Sequence, residues 1–163
     1  MAKAGISFMQ VEDDAQAVFW QQQAFEAAGI HDPVYVVTDG QHAIDYLAGR
    51  KPFADRQKHP LPSLLLLKLR LPRLPGLEVL QWIRAQPSLR ALIVIALDQW
   101  ERPSDLERAY ELGANSCASL PLDRDGWVDL ARSLKTWWLV KNRFATSRRT
   151  GWRLAGATIR ASV

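Results

Sequence analysis

Three acidic residues stand in a row at Glu12, Asp13 and Asp14, directly after a short apolar run. Adjacent carboxylates suit a hard divalent cation, which takes oxygen ligands. At a helix start the same residues have a structural use, because a carboxylate there accepts from exposed N–H groups and favours the helix dipole. The triplet alone leaves both uses open. Two further ionisable groups close apolar segments: Lys68 ends Ser63–Lys68, and Asp98 follows Leu92–Leu97. Beside acids an ammonium stays charged, so Lys68 can stand as a tethered cation, expected to bridge Asp13 and Asp98. Two other readings of Lys68 remain: its stem lets the amine reach solvent, or it is a Schiff-base lysine of an enzyme. The last needs a neutral amine, which neighbouring acids oppose.

No other group offers a catalytic set. His31, His42 and His59 have no zinc-ligand spacing, no glycine-rich phosphate loop is present, and the single Cys117 cannot form an intramolecular disulfide. Tryptophan is frequent, with seven copies. Trp82, Trp127, Trp137 and Trp138 fall on predicted helices, and Trp100 in a loop beside Asp98. Neighbours on a helix differ by about 100°, so Trp137 and Trp138 cannot both face one sheet. Trp100, Trp137 and Trp138 are therefore the candidate partner contacts.

The elements that position these groups follow from periodicity. Ile6–Val11, Pro33–Thr38, Ser63–Lys68, Leu92–Leu97 and Ser116–Leu120 read as strands. Between them, helices are predicted over Ala15–Ala28, around Ala43–Ala48, around Leu77–Ile83, around Leu106–Leu112 and over Trp127–Val140. The stripe of the first is Ala15, Val18, Phe19, Ala24 and Phe25. Near-continuous apolar strands alternating with amphipathic helices imply a parallel α/β sheet covered on both faces. In such sheets the ligand site lies beyond the carboxyl ends of the strands, here Val11–Asp14, Lys68–Arg70, Leu97–Trp100 and Ser119–Pro121.

At these positions the chain resembles the receiver domains of bacterial response regulators, above all the receiver-only regulators partnered with phytochrome-type kinases. The matching stretches are Val-Glu-Asp-Asp at 11–14, Val-Val-Thr-Asp-Gly at 36–40, Leu-Pro-Arg-Leu-Pro-Gly-Leu-Glu-Val-Leu at 71–80, Glu-Arg-Ala-Tyr-Glu-Leu-Gly-Ala-Asn-Ser at 107–116 and Trp-Trp-Leu-Val-Lys-Asn at 137–142. The resemblance implies a flavodoxin-like three-layer sandwich with strand order 2-1-3-4-5 over residues 5–142. It also implies phosphoryl transfer from a kinase histidine to an aspartate ending strand three, with a metal on an acidic pair. Glu12 and Asp13 match that pair, but three other positions depart. The phosphoacceptor position, four residues before Pro72, is Lys68. The hydroxyl position, fifteen before Gly113, is Asp98, and the lysine position before Pro121 is Leu120. The aromatic switching position falls on Cys117. An ammonium cannot form an acyl phosphate, Asp98 repels a phosphoryl group, and Leu120 gives it no charge. The family's cis Lys-Pro bond maps onto Leu120–Pro121, where a cis peptide is expected.

The implied molecule is a degenerate receiver that needs no cofactor, metal or catalysis of its own. It would bind a protein partner in a signalling pathway, a sensor kinase or an output protein, and pair with itself through the helix 4–strand 5–helix 5 face. The runner-up is a regulator that keeps metal on Glu12, Asp13 and Asp98 and is switched by phosphate at a non-standard site. The bulk properties agree with a globular domain. Hydrophobic residues are 48% and charged residues 23% of the 163. The longest apolar run, Ala91–Leu97, is far short of the ~20 residues of a membrane span. The start has no secretory layout, which makes a cytoplasmic chain the expectation. The net charge of +4 is carried by the end of the chain: six Lys or Arg and no acid lie in residues 141–163, leaving −2 before them. The basic tail, 143–163, has no nucleic-acid-reading motif, so nucleic acid is an unlikely partner.

Overall fold

The computed structural model describes residues 6–143, so the basic tail lies outside the described residues apart from Arg143. Five β-α units follow one another: β1 (Phe8–Val11), α1 (Ala15–Ala27), β2 (Val34–Val37), α2 (Gly40–Ala48), β3 (Leu64–Lys68), α3 (Gly76–Ala85), β4 (Ile93–Asp98), α4 (Pro103–Glu111), β5 (Ser116–Ser119) and α5 (Arg124–Leu134). The strands form one parallel sheet in the order β2-β1-β3-β4-β5, the expected architecture.

The pleat divides the core. Leu65, Leu67, Val94 and Ala96 face α2, α3 and α4, together with Met9, Val11 and Val79. Leu64, Leu66, Ile95 and Leu97 face α1 and α5, against Phe8, Phe25 and Trp127. Because side chains alternate, a residue's parity fixes its layer. Lys68 lies beside Leu97 and so belongs to the α1/α5 side, as do Gln10 and Glu12, two and four residues after Phe8. Asp98 shares the opposite side with Val94 and Ala96.

The helices begin where short polar side chains satisfy their first N–H groups. Asp14 accepts from Gln16 N at 2.9 Å, Asp39 from His42 N at 2.8 Å and Asp123 from Gly126 N at 2.8 Å. At the other end of the sheet Arg84 donates to the carbonyls of Leu92 and Gly113, both at 2.9 Å, tying α3 to β4 and the α4–β5 turn.

Two helices differ from expectation. Of the predicted α1 stripe, Ala24 and Phe25 are buried, but Phe19 is half exposed and the polar Gln21 is fully buried. The last helix does not stay α-helical to Val140: Lys135–Lys141 form a π-helix, closed by Asn142 N on Trp137 O at 2.7 Å. The wider turn changes which residues meet the sheet. Trp138 and Leu139 pack on the α1/α5 layer, while Trp137 is 59% exposed.

Candidate functional site

The carboxyl ends of β1, β3 and β4 bring the charged residues together as two separate clasps. In the first, Lys68 Nζ donates to Glu12 Oε1 at 2.8 Å and to Asp13 Oδ1 at 2.7 Å. Glu12 is 1% exposed, and its Oε1 also accepts from Asp14 N at 2.9 Å. The acidic triplet thus splits its labour: Asp14 caps α1, while Glu12 and Asp13 hold the ammonium. Burial works against charge on both partners, but hydrogen bonding and attraction outweigh it. Lys68 is raised above its ordinary 10.5, and Asp13 lies below its ordinary 3.8. A raised amine is the wrong direction for Schiff-base chemistry, which needs the neutral form.

Asp98 is not part of this clasp, contrary to the expected Asp13–Lys68–Asp98 bridge. The reason is the pleat: Lys68 and Asp98 project from opposite faces of the sheet. Asp98 instead meets Arg70, whose Nε lies 3.2 Å from its Oδ1, and accepts from Gln99 N at 2.8 Å. Arg70 also reaches Glu101, Nη1 to Oε2 at 3.0 Å, and this hydrogen bond with the charge of Asp98 raises its pKa. Arg70 falls within the strand end Lys68–Arg70 expected to carry the site, but its role as the partner of Asp98 is not readable from the sequence because it lies past the strand in a loop.

The donor set does not fit a divalent cation. The facing oxygens of Glu12 and Asp13 are engaged by an ammonium, and Asp98 points across the sheet to a guanidinium. Among the described residues no three His, Cys, Asp or Glu side chains gather as a metal site.

The other sequence-predicted residues surround this edge without joining it. Leu120 packs on the α1/α5 layer, and Cys117 on the other. Burial raises the Cys117 thiol, and Cys117 N donates to the Tyr110 hydroxyl at 3.2 Å. Leu120–Pro121 is trans, which corrects the expected cis bond; the cis peptide among the described residues is Lys51–Pro52. Leu120 N donates to Asp98 O at 2.9 Å, and its carbonyl accepts from Gln99 Nε2 at 3.0 Å. These contacts hold the ordinary trans form, which X–Pro bonds favour by about 0.5–1 kcal/mol. Trp100 adopts a left-handed backbone, φ 56°, and its indole donates to Ala118 O at 2.9 Å, which anchors the half-buried ring to β5.

The comparisons agree with the fold. The family described as the response regulator receiver domain matches residues 8–132. The chain is 34% identical over 133 residues to the probable methanogenesis regulatory protein FilR2 of Methanothrix harundinacea, covering 82% of this chain and 83% of that one. It is similar to the response regulator RPA3017 in red light signaling of R. palustris, with TM-score 0.80, 32% identity and coverage of 86% of this chain and 99% of that one. It is also similar to the phosphorylated cyanobacterial phytochrome response regulator RcpA, with TM-score 0.79, 26% identity and coverage of 86% and 98%. Receiver domains of two-component signalling interact with kinases and output partners, and no described helix is long and apolar enough to cross a membrane. Motifs, sheet order and relatives converge, and the chain belongs to the response regulator receiver family.

Proposed function

We propose that this chain is a pseudo-receiver: a cytoplasmic, non-catalytic signalling module that binds its protein partner without being phosphorylated. The observation that carries the reading is the ammonium of Lys68 held at 2.8 and 2.7 Å between Glu12 and Asp13. A carboxylate at this strand end accepts a phosphoryl group; an ammonium with its pKa raised is a donor without a free lone pair. Asp98 and Leu120 remove the two groups that would have steadied the transferred phosphate. Lys68 and Arg70 each give a buried carboxylate, Glu12 and Asp98, an internal counter-charge, which supports an arrangement held without an input of phosphate or metal.

Binding is assigned to the α4–β5–α5 face and to the end of the last helix. Tyr110 and Leu122 are exposed beside β5, and Trp137 and Val140 on the π-helical turn. Exposed aromatic and aliphatic groups of this kind supply interface anchors. The partner is a sensor kinase or output protein, of phytochrome type by analogy with the relatives, or a second copy of this chain through the same face.

Incubation of the full chain with acetyl phosphate and Mg²⁺, followed by intact mass measurement, tests the reading. The expected spectrum is unchanged. A stoichiometric gain of one phosphoryl group overturns it.

A further inference from the structure

The turn that leaves β4 holds a strained backbone. Trp100 has φ 56°. A bulky side chain in the left-handed region is an outlier, because its Cβ crowds the following carbonyl. Such a conformation persists only where its surroundings over-determine it, and residues of this kind gather at clamps and switches.

Every side chain of the turn is tied. Gln99 Nε2 donates to Leu120 O at 3.0 Å, and the Trp100 indole donates to Ala118 O at 2.9 Å. Asp98 and Glu101 flank that pair, and Arg70 holds both: its Nε lies 3.2 Å from Asp98 Oδ1, and its Nη1 donates to Glu101 Oε2 at 3.0 Å. One guanidinium therefore grips the chain on both sides of Trp100. Its planar fork fixes the spacing of the two carboxylates, and with it the backbone between them. Asp98 is 4% exposed and Glu101 67% exposed, so one arm of the grip is buried and firm, while the other lies in solvent and is weak.

The turn is joined to the face assigned to partner binding. Ala118 O accepts from Trp100, and the N–H of the neighbouring Cys117 donates to the Tyr110 hydroxyl at 3.2 Å. Tyr110 is exposed on α4. The same stretch of β5 thus carries both the Trp100 ring and Tyr110. We propose that Arg70 is a catch. It holds the β4–α4 turn in its strained state with the Trp100 ring fixed on β5, and its release lets the turn relax and alters the α4–β5 side of the binding face. The consequence for binding rests on the phosphate-independent reading above; the catch itself is a property of the free chain.

NMR of the full chain with ¹⁵N-labelled indoles tests it, the Trp100 signal being assigned by its loss in Trp100→Phe. In Arg70→Gln the Trp100 indole N–H should exchange with deuterium at least about tenfold faster than in the wild type, and the amide signals of Cys117 and Ala118 should move. Melting tests the strain. Trp100→Gly should melt about 2–4 °C above Trp100→Ala, because glycine takes the left-handed backbone without a Cβ clash, and the gap should close when Arg70→Gln is added. A smaller gain in exchange, an alanine variant that melts at or above the glycine one, or a gap that survives in Arg70→Gln overturns the proposal. If Arg70→Gln does not fold, Glu101→Ala, which leaves the buried Asp98 pair in place, is read in the same way. These measurements need no phosphodonor, so their failure leaves phosphate independence standing, and uptake of a phosphoryl group leaves the catch standing.

Discussion

Replacing Lys68 by Met keeps most of the apolar stem and deletes the ammonium. The loss is set by what it leaves behind. Glu12 is 1% exposed and keeps its Asp14 N–H bond, but not its counter-charge. Breaking a fully buried pair costs about 3–5 kcal/mol because the remaining charge is uncompensated. Asp13 is 37% exposed, so its contact is closer to a surface pair worth about 0–1 kcal/mol. Lys68 itself retains 16% exposure, which softens the first figure. The variant should lose about 2–4 kcal/mol at pH 7, a fall in Tm of about 4–16 °C for a chain of this length. The pH dependence is the sharper signature. In the wild type the lowered Asp13 contributes stability above 3.8 that is lost as pH falls through its folded value. The raised Lys68 contributes below 10.5, and that is lost as pH rises through its folded value. Between these limits the clasp itself adds no slope. In the variant both contributions are absent, so its deficit against the wild type is largest between these limits and shrinks as pH falls below 3.8 or rises above 10.5. Urea denaturation followed by circular dichroism inside and outside these limits measures it. The double variant Glu12→Gln/Lys68→Met should recover most of the loss. A deficit below about 0.5 kcal/mol at pH 7, or one independent of pH, refutes the reasoning.

Arg70→Ala should cost about 1–2 kcal/mol, less than Lys68→Met because the guanidinium is half exposed but not nothing because Asp98 is 4% exposed and loses its counter-charge, and it should shift the Trp100 indole resonance in an NMR spectrum; an unmoved resonance would uncouple the second clasp from its loop. Gly76→Ala should cost at least about 1–3 kcal/mol in the same urea assay, since a Cβ there runs into the backbone carbonyl of Lys68 and the Cα of Leu69. Trp137→Ser should change stability by less than about 0.5 kcal/mol and weaken self-association or partner capture in sedimentation, whereas Trp138→Ser should cost about 1–3 kcal/mol through lost packing.

Much of the fold was legible because its strands are uninterrupted: Leu64–Lys68 and Ile93–Asp98 admit little but a buried parallel sheet, and Gly49 and Gly113 mark turns where φ is positive. Glu12, Asp13 and Lys68 were legible as one site because all three sit at strand ends. Their pairing was misjudged on one point. Assigning Lys68 to Asp98 ignored the pleat, which the register Lys68–Leu97 resolves by placing Asp98 on the other face. Arg70 lies in the strand end expected to carry the site, but its pairing with Asp98 depends on the course of a loop, which periodicity does not encode. Gln21 was hidden because a polar residue on a helix reads as surface, and only the packing of Phe25 against Phe8 shows that its face is inward. The trans Leu120–Pro121 bond was misjudged because it was transferred from a Lys-Pro motif that this chain lacks. The π-helical turn arises where α1 and α5 pack, with Lys135 Nζ on Ala28 O at 2.7 Å, a tertiary contact that no local pattern signals.

The central claim is that a lysine ammonium stands where the family binds a metal beside its phosphoacceptor. A crystal of the full chain soaked in manganese chloride, with anomalous scattering recorded at the manganese edge, tests it most directly. The account predicts Lys68 Nζ within hydrogen-bond distance of both Glu12 and Asp13 and no anomalous peak between them. A manganese ion seated on those two carboxylates, with the amine turned out to solvent, would contradict it.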